Sequence, residues 1–579
     1  MEKAMLSVEH LSIDIAAGKQ YHRVVDDLSF TLNSGETVCI AGESGSGKSL
    51  SSTAIMGLLP PVAKVASGHI WFEGKDLLTT PEKSMRAMRG DDIAMIFQEP
   101  MTSLNPLMTA GQQLCEAIQA HRSVDYGSAK LMAISMLDAV KVPHAQKRYH
   151  QYPHEMSGGM LQRIMIAMSL VCRPKILIAD EPTTALDVTI QAQILSLLNE
   201  LKSDFDTGVL MITHDMGVVA EMADKVVVMN QGIVEEQSDV RSLFLSPTAN
   251  YTKDLLAAVP KLGHAKPVED VPQSEPLLDV NNLCVRFPVQ HVWWQKEKLE
   301  VRAVENVSFT IKPGETLGLV GESGCGKSTI GKALMNMLPF CGSANLNGVE
   351  LNGLRGQGLR AIRKDIQMVF QDPYSSLNPR KTIFQLLKEP LLIHGICPAS
   401  DVRDHVALLL EQVDMLPNHM NRYPHQFSGG QRQRISIARA IASQPKLVVA
   451  DESVSALDVS VQAQVLELLE RLQKKLGVSY LFISHDMAVV EQVSHRVAVM
   501  HGGRIVEMGP RDEVLSSPRH SYTQRLMQAV PIADVDVKRD LSMVLSEHKM
   551  PDPIRNVSVI EDVLKYEDVG HEHIVAVNY

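Results

Sequence analysis

The sequence predicts two tandem α/β domains, each a largely parallel sheet flanked by helices and organised around a phosphate-binding loop. Three observations carry this expectation. One ordered series of short motifs occurs twice along the chain. Within each copy, apolar runs of strand length bounded by turn residues alternate with helix-length segments. In each copy a Gly-rich loop follows such a strand directly and opens a helix.

The bulk numbers agree with two domains. The 579 residues are too many for one ordinary core, and 45% apolar with 21% charged residues is a globular composition. The formal net charge of -11 weighs against nucleic acid as a partner. The 7 cysteines are odd in number and contain no C-x-x-C spacing, which reads as reduced cysteines of a cytosolic protein. The first residues lack an apolar stretch of signal-peptide length. No apolar run approaches the ~18 residues that span a bilayer. If the chain serves a membrane process, other chains are expected to supply the spanning part.

The repeat is read motif by motif. Gly42-Glu-Ser-Gly-Ser-Gly-Lys48-Ser49 returns as Gly321-Glu-Ser-Gly-Cys-Gly-Lys327-Ser328. Phe97-Gln98 returns as Phe370-Gln371, and Met156-Ser-Gly-Gly returns as Phe427-Ser-Gly-Gly. Ile178-Ala-Asp180-Glu181 returns as Val449-Ala-Asp451-Glu452, and Thr213-His214-Asp215 as Ser484-His485-Asp486. The last three pairs share one displacement, so the second halves of the copies align without gaps. A duplicated unit of about 270 residues explains this. The expected boundaries are 1–262 and 278–531 for the domains, with a Pro-rich, acidic linker over 263–277 and a C-terminal tail over 532–579. Both copies end alike, in Ser246-Pro, Tyr251-Thr and Ala258-Val-Pro260, then in Ser517-Pro, Tyr522-Thr and Ala529-Val-Pro531.

The elements of each copy follow in order. Alternation in Leu6-Ser-Val-Glu-His-Leu-Ser-Ile predicts opening strands with one face exposed. The apolar run Thr37–Ala41 predicts a buried strand before the Gly-rich loop and its helix. A helical middle comes next. The runs Ile176–Ala179 and Val209–Thr213 predict two more buried strands, each leading into a helix.

The chemistry sits where those strands end. The glycines of the loop let backbone N–H groups wrap phosphates, helped by the positive end of the following helix. This places Gly42, Ser44, Gly45, Gly47 and Lys48 on one nucleotide, and Gly321, Ser323, Gly324, Gly326, Lys327 and Thr329 on another. Ser49 and Ser328 offer hydroxyls to Mg²⁺, and Asp180 and Asp451 hold the same ion, directly or through water. Glu181 and Glu452 fit as general bases for an attacking water. His214 and His485 can contact the terminal phosphate and hold that water; Gln98 and Gln371 can touch Mg²⁺ or the water. The Ser-Gly-Gly elements start helices, so Ser157 and Gly159, with Ser428 and Gly430, form a second kind of anion site. Since each domain already has a phosphate loop, the economical ligand of that second site is the ATP held by the other domain.

The order of phosphate loop, Gln, Ser-Gly-Gly, Asp-Glu, Ala-Leu-Asp and His resembles the nucleotide-binding domains of ABC ATPases, over roughly 5–260 and 278–531. The phrases Met101-Thr-Ser-Leu-Asn-Pro106 and Tyr374-Ser-Ser-Leu-Asn-Pro379, with the shared endings, resemble the peptide and nickel import subfamily. The resemblance implies a core sheet, an antiparallel β part and a helical subdomain in each domain. It implies an ATPase that powers import of glutathione or short peptides from the cytoplasmic face of the inner membrane. Two permease subunits, a periplasmic substrate-binding protein and no nucleic acid are the implied partners, with ATP and Mg²⁺ as ligands. It further implies head-to-tail closure, with Asp187 and Asp458 in loops linking the sites.

Departures from that pattern add expectations. Met160 stands where Gln is usual and where the second copy has Gln431, so the site facing the first signature is expected to be weaker. Ser453 replaces the commoner Pro, with little effect expected. The adenine-stacking ring is Phe287 in the second copy; the first has Ile15 at that place, or uses Tyr21. Relatives with an iron–sulphur centre carry C-terminal cysteines; none lies beyond Cys397 here, so no cluster is expected. The alternatives are a nickel or antibiotic-peptide importer ATPase, an exporter ATPase, or a soluble ABC ATPase acting on ribosomes or DNA. His571-Glu-His573 is expected to be solvated tail. Trp293 and Trp294 sit in an insertion before the second loop and receive no role.

Overall fold

A computed structural model describes residues 4–18, 20–184, 186–265, 267, 274–289, 299–455, 457–546, 551, 553–559 and 564–577. Trp293 and Trp294, and residues 266 and 268–273 of the stretch read as linker, lie outside them. The chain divides into two compact units. One comprises Met1–Leu186, Ile190–Val259 and Pro531–Arg539; the other comprises Asp187–Thr189, Pro260–Val530 and Asp540–Tyr579.

In the first unit, the strands are β1 (Leu6–Ala17), β2 (Gln20–Leu32), β3 (Thr37–Gly42), β4 (Ala63–Phe72) and β5 (Lys75–Asp76). They continue as β6 (Ile93–Ile96), β7 (Ile176–Asp180), β8 (Gly208–Thr213), β9 (Lys225–Asn230) and β10 (Ile233–Asp239). The order is β5-β4-β1-β2-β10-β9-β3-β8-β7-β6. The core strands β9, β3, β8, β7 and β6 are parallel, whereas β1 pairs antiparallel with both β2 and β4. The sequence distinguishes the two parts. In β3, β7 and β8 every residue is buried, the mark of a sheet covered on both faces. In β1, Leu6 and Val8 face in while Ser7 and Glu9 do not.

The second unit repeats this plan. Its strands are β11 (Leu278–Pro288), β12 (Leu299–Ile311), β13 (Thr316–Val320), β14 (Cys341–Leu346), β15 (Val349–Glu350) and β16 (Ile366–Val369). Next come β17 (Leu447–Asp451), β18 (Ser479–Ser484), β19 (Arg496–His501) and β20 (Arg504–Pro510). The orders are β15-β14-β11-β12 and β16-β17-β18-β13-β19-β20. The tail extends both sheets. β21 (Ile554–Asn556) pairs with β12, and the hairpin β22 (Tyr566–Asp568) and β23 (Ile574–Ala576) pairs with β20. His571 and Glu572 are exposed, as expected of solvated tail. His573 is not. It is buried, because β23 lies on β20 and brings its ring against the Glu507 carboxylate, at 2.8 Å.

A helical part in each unit follows from local signals. Thr109 and Gln112 close a capping box at the start of Ala110–His121; Thr382 and Gln385 do the same for Ile383–Ile393. These helices pack with Tyr126–Ala139 and Gly158–Leu170, and with Val402–Gln412 and Gly429–Ile441. Among the described residues, no helix is long and apolar enough to cross a membrane.

Candidate functional site

Each phosphate loop joins a fully buried strand to a helix, β3 to Lys48–Ile55 and β13 to Lys327–Leu334. Two glycines per loop are required by the backbone. Gly42 and Gly321 have φ of 146° and 148°, and a Cβ there would meet a backbone oxygen, of Met229 or Met500, at 2.1 Å. Gly47 and Gly326 cap the helices in the left-handed region. Lys48 is buried and donates to the carbonyls of Gly42 at 2.8 Å and Glu43 at 2.7 Å. Lys327 repeats this with Gly321 at 2.8 Å and Glu322 at 2.9 Å. The loop thus folds its own cation inward, beneath the N–H groups at the helix start.

The carboxylates arrive from β7 and β17, each one strand removed from the strand that feeds the loop. Asp180 ends β7, and Ser49 donates to it at 2.9 Å; Asp451 ends β17, and Ser328 donates to it at 2.7 Å. Burial pushes both aspartates above the usual carboxylate range, against the pull of those serine hydroxyls. Glu181 and Glu452 follow with φ of 47° and 44°, a backbone region that side-chain-bearing residues rarely adopt. Each backbone N–H is tied to the neighbouring strand, at Ile212 and Ile483. Such strain costs about 1–3 kcal/mol and re-aims the side chain toward the end of the sheet.

That side chain gathers the remaining groups. Glu181 accepts from Gln98 at 2.8 Å and Thr184 at 2.9 Å, and pairs with His214 at 3.2 Å. Glu452 accepts from Gln371 at 2.6 Å and pairs with His485 at 3.5 Å. Burial raises the Glu181 carboxyl, but the His214 bond and charge, the Thr184 hydroxyl and Lys48 outweigh it and hold it down to about 2. Glu452 is also held below its ordinary value: His485 and Lys327 overcome its burial. Both histidines are partly desolvated, yet their glutamates raise them above the ordinary value. The structure therefore collects Lys48, Ser49, Gln98, Asp180, Glu181 and His214 in one cluster and Lys327, Ser328, Gln371, Asp451, Glu452 and His485 in another.

The Ser-Gly-Gly elements do begin helices. Gly159 and Gly430 are forced by packing, since a Cβ would come within 2.8 Å of Ile190 and 2.2 Å of Val461. Ser428 is an N-cap whose oxygen accepts from the N–H of Gln431, while the Gln431 amide accepts from the N–H of Ser428. Met160 cannot return that bond, and Ser157 makes no side-chain cap. The surroundings of the other departure differ between the cassettes too. Gln162 donates to the carbonyl of Pro182, but the corresponding Gln433 amide nitrogen and the Ser453 hydroxyl are buried without a hydrogen-bond partner. Phe287 is half-buried on β11, whereas Tyr21 is exposed on β2 with the Lys64 ammonium 3.6 Å from its ring centre.

Two contributors escaped the sequence reading. Thr184 bonds Glu181, although nothing in the Asp-Glu spacing marks it. Tyr522 is fully buried and its hydroxyl accepts from the N–H of Glu322 in the phosphate loop at 3.1 Å. Its signal was present: the Tyr-Thr phrase recurs at the end of both copies.

The ABC transporter family profile matches residues 25–184 and 304–455. Those ranges hold the phosphate loop, Gln, Ser-Gly-Gly and Asp-Glu elements of both units. The chain belongs to the ABC transporter family. Its two units are ATP-binding cassettes, and it is an ATPase that powers transport. A profile of the oligopeptide/dipeptide transporter C-terminal region matches residues 506–554. The chain is 47% identical over 605 residues to the glutathione import ATP-binding protein GsiA of Pectobacterium atrosepticum, spanning 99% of this chain and 97% of that one. It is 48% identical over 602 residues to the protein of the same name in Escherichia coli strain K12, spanning 99% and 96%.

Proposed function

We propose that this chain hydrolyses ATP at two sites to drive import of short peptides, glutathione foremost. The observation that carries the reading is the double cluster: both cassettes keep the lysine, aspartate, glutamate, histidine and glutamine in one geometry. Near-full-length identity to proteins named for glutathione import, together with the peptide-transporter C-terminal region, supports the substrate class.

Lys48 and Lys327 bind the phosphates, with N–H groups of Gly42 to Gly47 and Gly321 to Gly326 around them. Phosphate oxygens give each ammonium an alternative to its loop carbonyls. Glu181 and Glu452 orient the attacking water and take its proton. A carboxyl held near 2 is a weak base, so Glu181 must loosen from His214 as the water enters. His214 and His485 then turn to the terminal phosphate. Ser157 with Gly159, and Ser428 with Gly430, bind phosphate at a helix start.

The residues present fit a hard divalent ion. Ser49 and Asp180, like Ser328 and Asp451, place oxygens beside each other at the phosphate loop, with Gln98 and Gln371 near. Among the described residues no cluster of three His, Cys, Asp or Glu side chains could hold a metal by itself. Mg²⁺ would therefore share these groups with ATP oxygens and supply charge neutralisation there. Two permease subunits and a periplasmic binding protein complete the proposed importer, with this chain at the cytoplasmic face of the inner membrane.

The test uses Glu181→Gln and Glu452→Gln in the full chain. Each is expected to lower ATP turnover by about 10²-fold or more at its own site, and to reduce uptake of labelled glutathione in cells. Full ATPase and uptake in either single variant would make that site regulatory. Normal glutathione uptake in cells lacking the chain would remove the substrate assignment and leave the ATPase.

A further inference from the structure

Cys341 is the exposed one among the seven cysteines; the other six are buried. Its cross-strand partner is another cysteine. Cys284 on β11 and Cys341 on β14 stand directly opposite in the antiparallel ladder. Directly opposed residues there have Cα atoms about 4.5–5.5 Å apart, inside the window of about 4.4–6.8 Å that a disulfide bridges. The Cys341 thiol already reaches across, donating to the Cys284 carbonyl at 3.5 Å.

The surroundings hold the pair in place. The Cys284 sulphur accepts from the N–H of Asn306 at 3.3 Å and donates to the Asn306 side-chain oxygen at 3.4 Å. A bulge beside the pair fixes the register: Gly342 has φ of 90°, and a Cβ on it would lie 2.3 Å from the Asn282 oxygen. The first cassette contains the same feature built of different atoms. Ser12 and Ser67 are opposed on β1 and β4, Gly68 has φ of 101°, and Ser12 accepts from the N–H of Asp27 at 3.2 Å. The backbone is thus indifferent to oxygen or sulphur at these positions, and only the second cassette carries thiols at them.

We propose that Cys341 and Cys284 form a thiol–disulfide exchange site for low-molecular-weight disulfides. The Cys341 thiolate attacks the disulfide, its S–S bond breaks, and one thiolate leaves. Cys284 then loses its proton and attacks the Cys341 sulphur. The Cys284–Cys341 bond forms and the second thiolate leaves. The two cysteines lose two protons and two electrons, and the small disulfide is reduced to two thiols. The roles follow from access. Cys341 meets the reagent, and Cys284, whose thiol burial pushes up, waits beneath as the resolving group.

The test treats the native full chain with glutathione disulfide and maps linked peptides by mass spectrometry. A Cys284–Cys341 linked peptide is expected, formed at least tenfold faster in the native than in the denatured chain. Cys284→Ser is expected to stop at a mixed disulfide on Cys341, and Cys341→Ser to leave Cys284 reduced. Serine is the residue at both counterpart positions, so these variants keep the fold. A wild-type chain that stops at the mixed disulfide, leaves Cys341 free to alkylating reagent, or links no faster when native would overturn the proposal.

Discussion

The two cassettes solve one problem at the end of each core sheet with different atoms. A buried carboxylate on the last core strand caps the following helical segment in both. In the first, Glu236 accepts from the N–H groups of Thr248 and Ala249 and from the Thr248 hydroxyl. In the second, Glu507 accepts from the N–H groups of Arg519 and His520, and Arg519 has no hydroxyl to offer. His573 of the tail supplies the missing donor. The first cassette closes this joint from within its own repeat, whereas the second depends on chain that the first copy lacks. Duplication therefore preserves a geometry while the residues completing it drift.

The largest expected effect tests that dependence. His573→Ala leaves Glu507, which has no exposed surface, without its side-chain partner. Removing a hydrogen-bond partner from a buried carboxylate in this way costs about 1–3 kcal/mol or more. Thr248→Val in the first cassette removes one neutral donor and should cost about 1 kcal/mol. Denaturant unfolding of both variants measures the comparison; equal losses would show that the tail is not a structural part of the second cassette.

The glutamate–histidine pairs differ next. Glu181 has the Thr184 hydroxyl, whereas the corresponding Ser455 donates to the Glu452 backbone carbonyl. His214 is raised, so its share of stability is complete below its ordinary 6.5 and fades as pH rises through the raised value. Glu181 is lowered, so its share is present above 4.5 and fades as pH falls toward about 2. The pair is strongest between those ordinary values. The Tm lost in His214→Gln should be greatest there and shrink at higher pH. Thr184→Val raises the carboxyl, so the loss on acidification should begin at higher pH. A Tm difference independent of pH would break the assignment.

How far this was legible in the sequence follows from the same comparison. Both clusters and both core sheets announced themselves, because strand-length apolar runs and fixed motif spacings leave few ways to arrange Lys48, Asp180, Glu181 and His214. The tail did not. His571-Glu-His573 has no spacing that distinguishes a solvated run from a strand, and the partner that buries His573 is Glu507 on β20. Thr184 was invisible for the same reason: its role depends on where the strained Glu181 points. At Met160 the structure shows a local difference, the missing reciprocal bond at the Ser157 helix start. Met160→Gln should restore it and stabilise the first cassette by about 0.5–2 kcal/mol, read as a rise in Tm; no change would mean that the Ser157 hydroxyl is held elsewhere.

The smallest expected effect lies beside Glu452. Pro182 gives Gln162 a carbonyl to bond, and the first cassette satisfies that buried amide. In the second, the Ser453 hydroxyl and the Gln433 amide nitrogen are both buried and unpartnered. A buried polar group without a partner costs about 1–3 kcal/mol. Deleting the hydroxyl with Ser453→Ala removes that penalty and leaves a gap the size of one oxygen, so the change should be neutral or stabilising by up to about 1 kcal/mol. ATP turnover should be unchanged, because Glu452 keeps Gln371 and His485. A clear loss of stability would instead mean that an ordered water bridges Ser453 and Gln433. The second cassette would then keep with solvent the contact that the first makes with its own backbone.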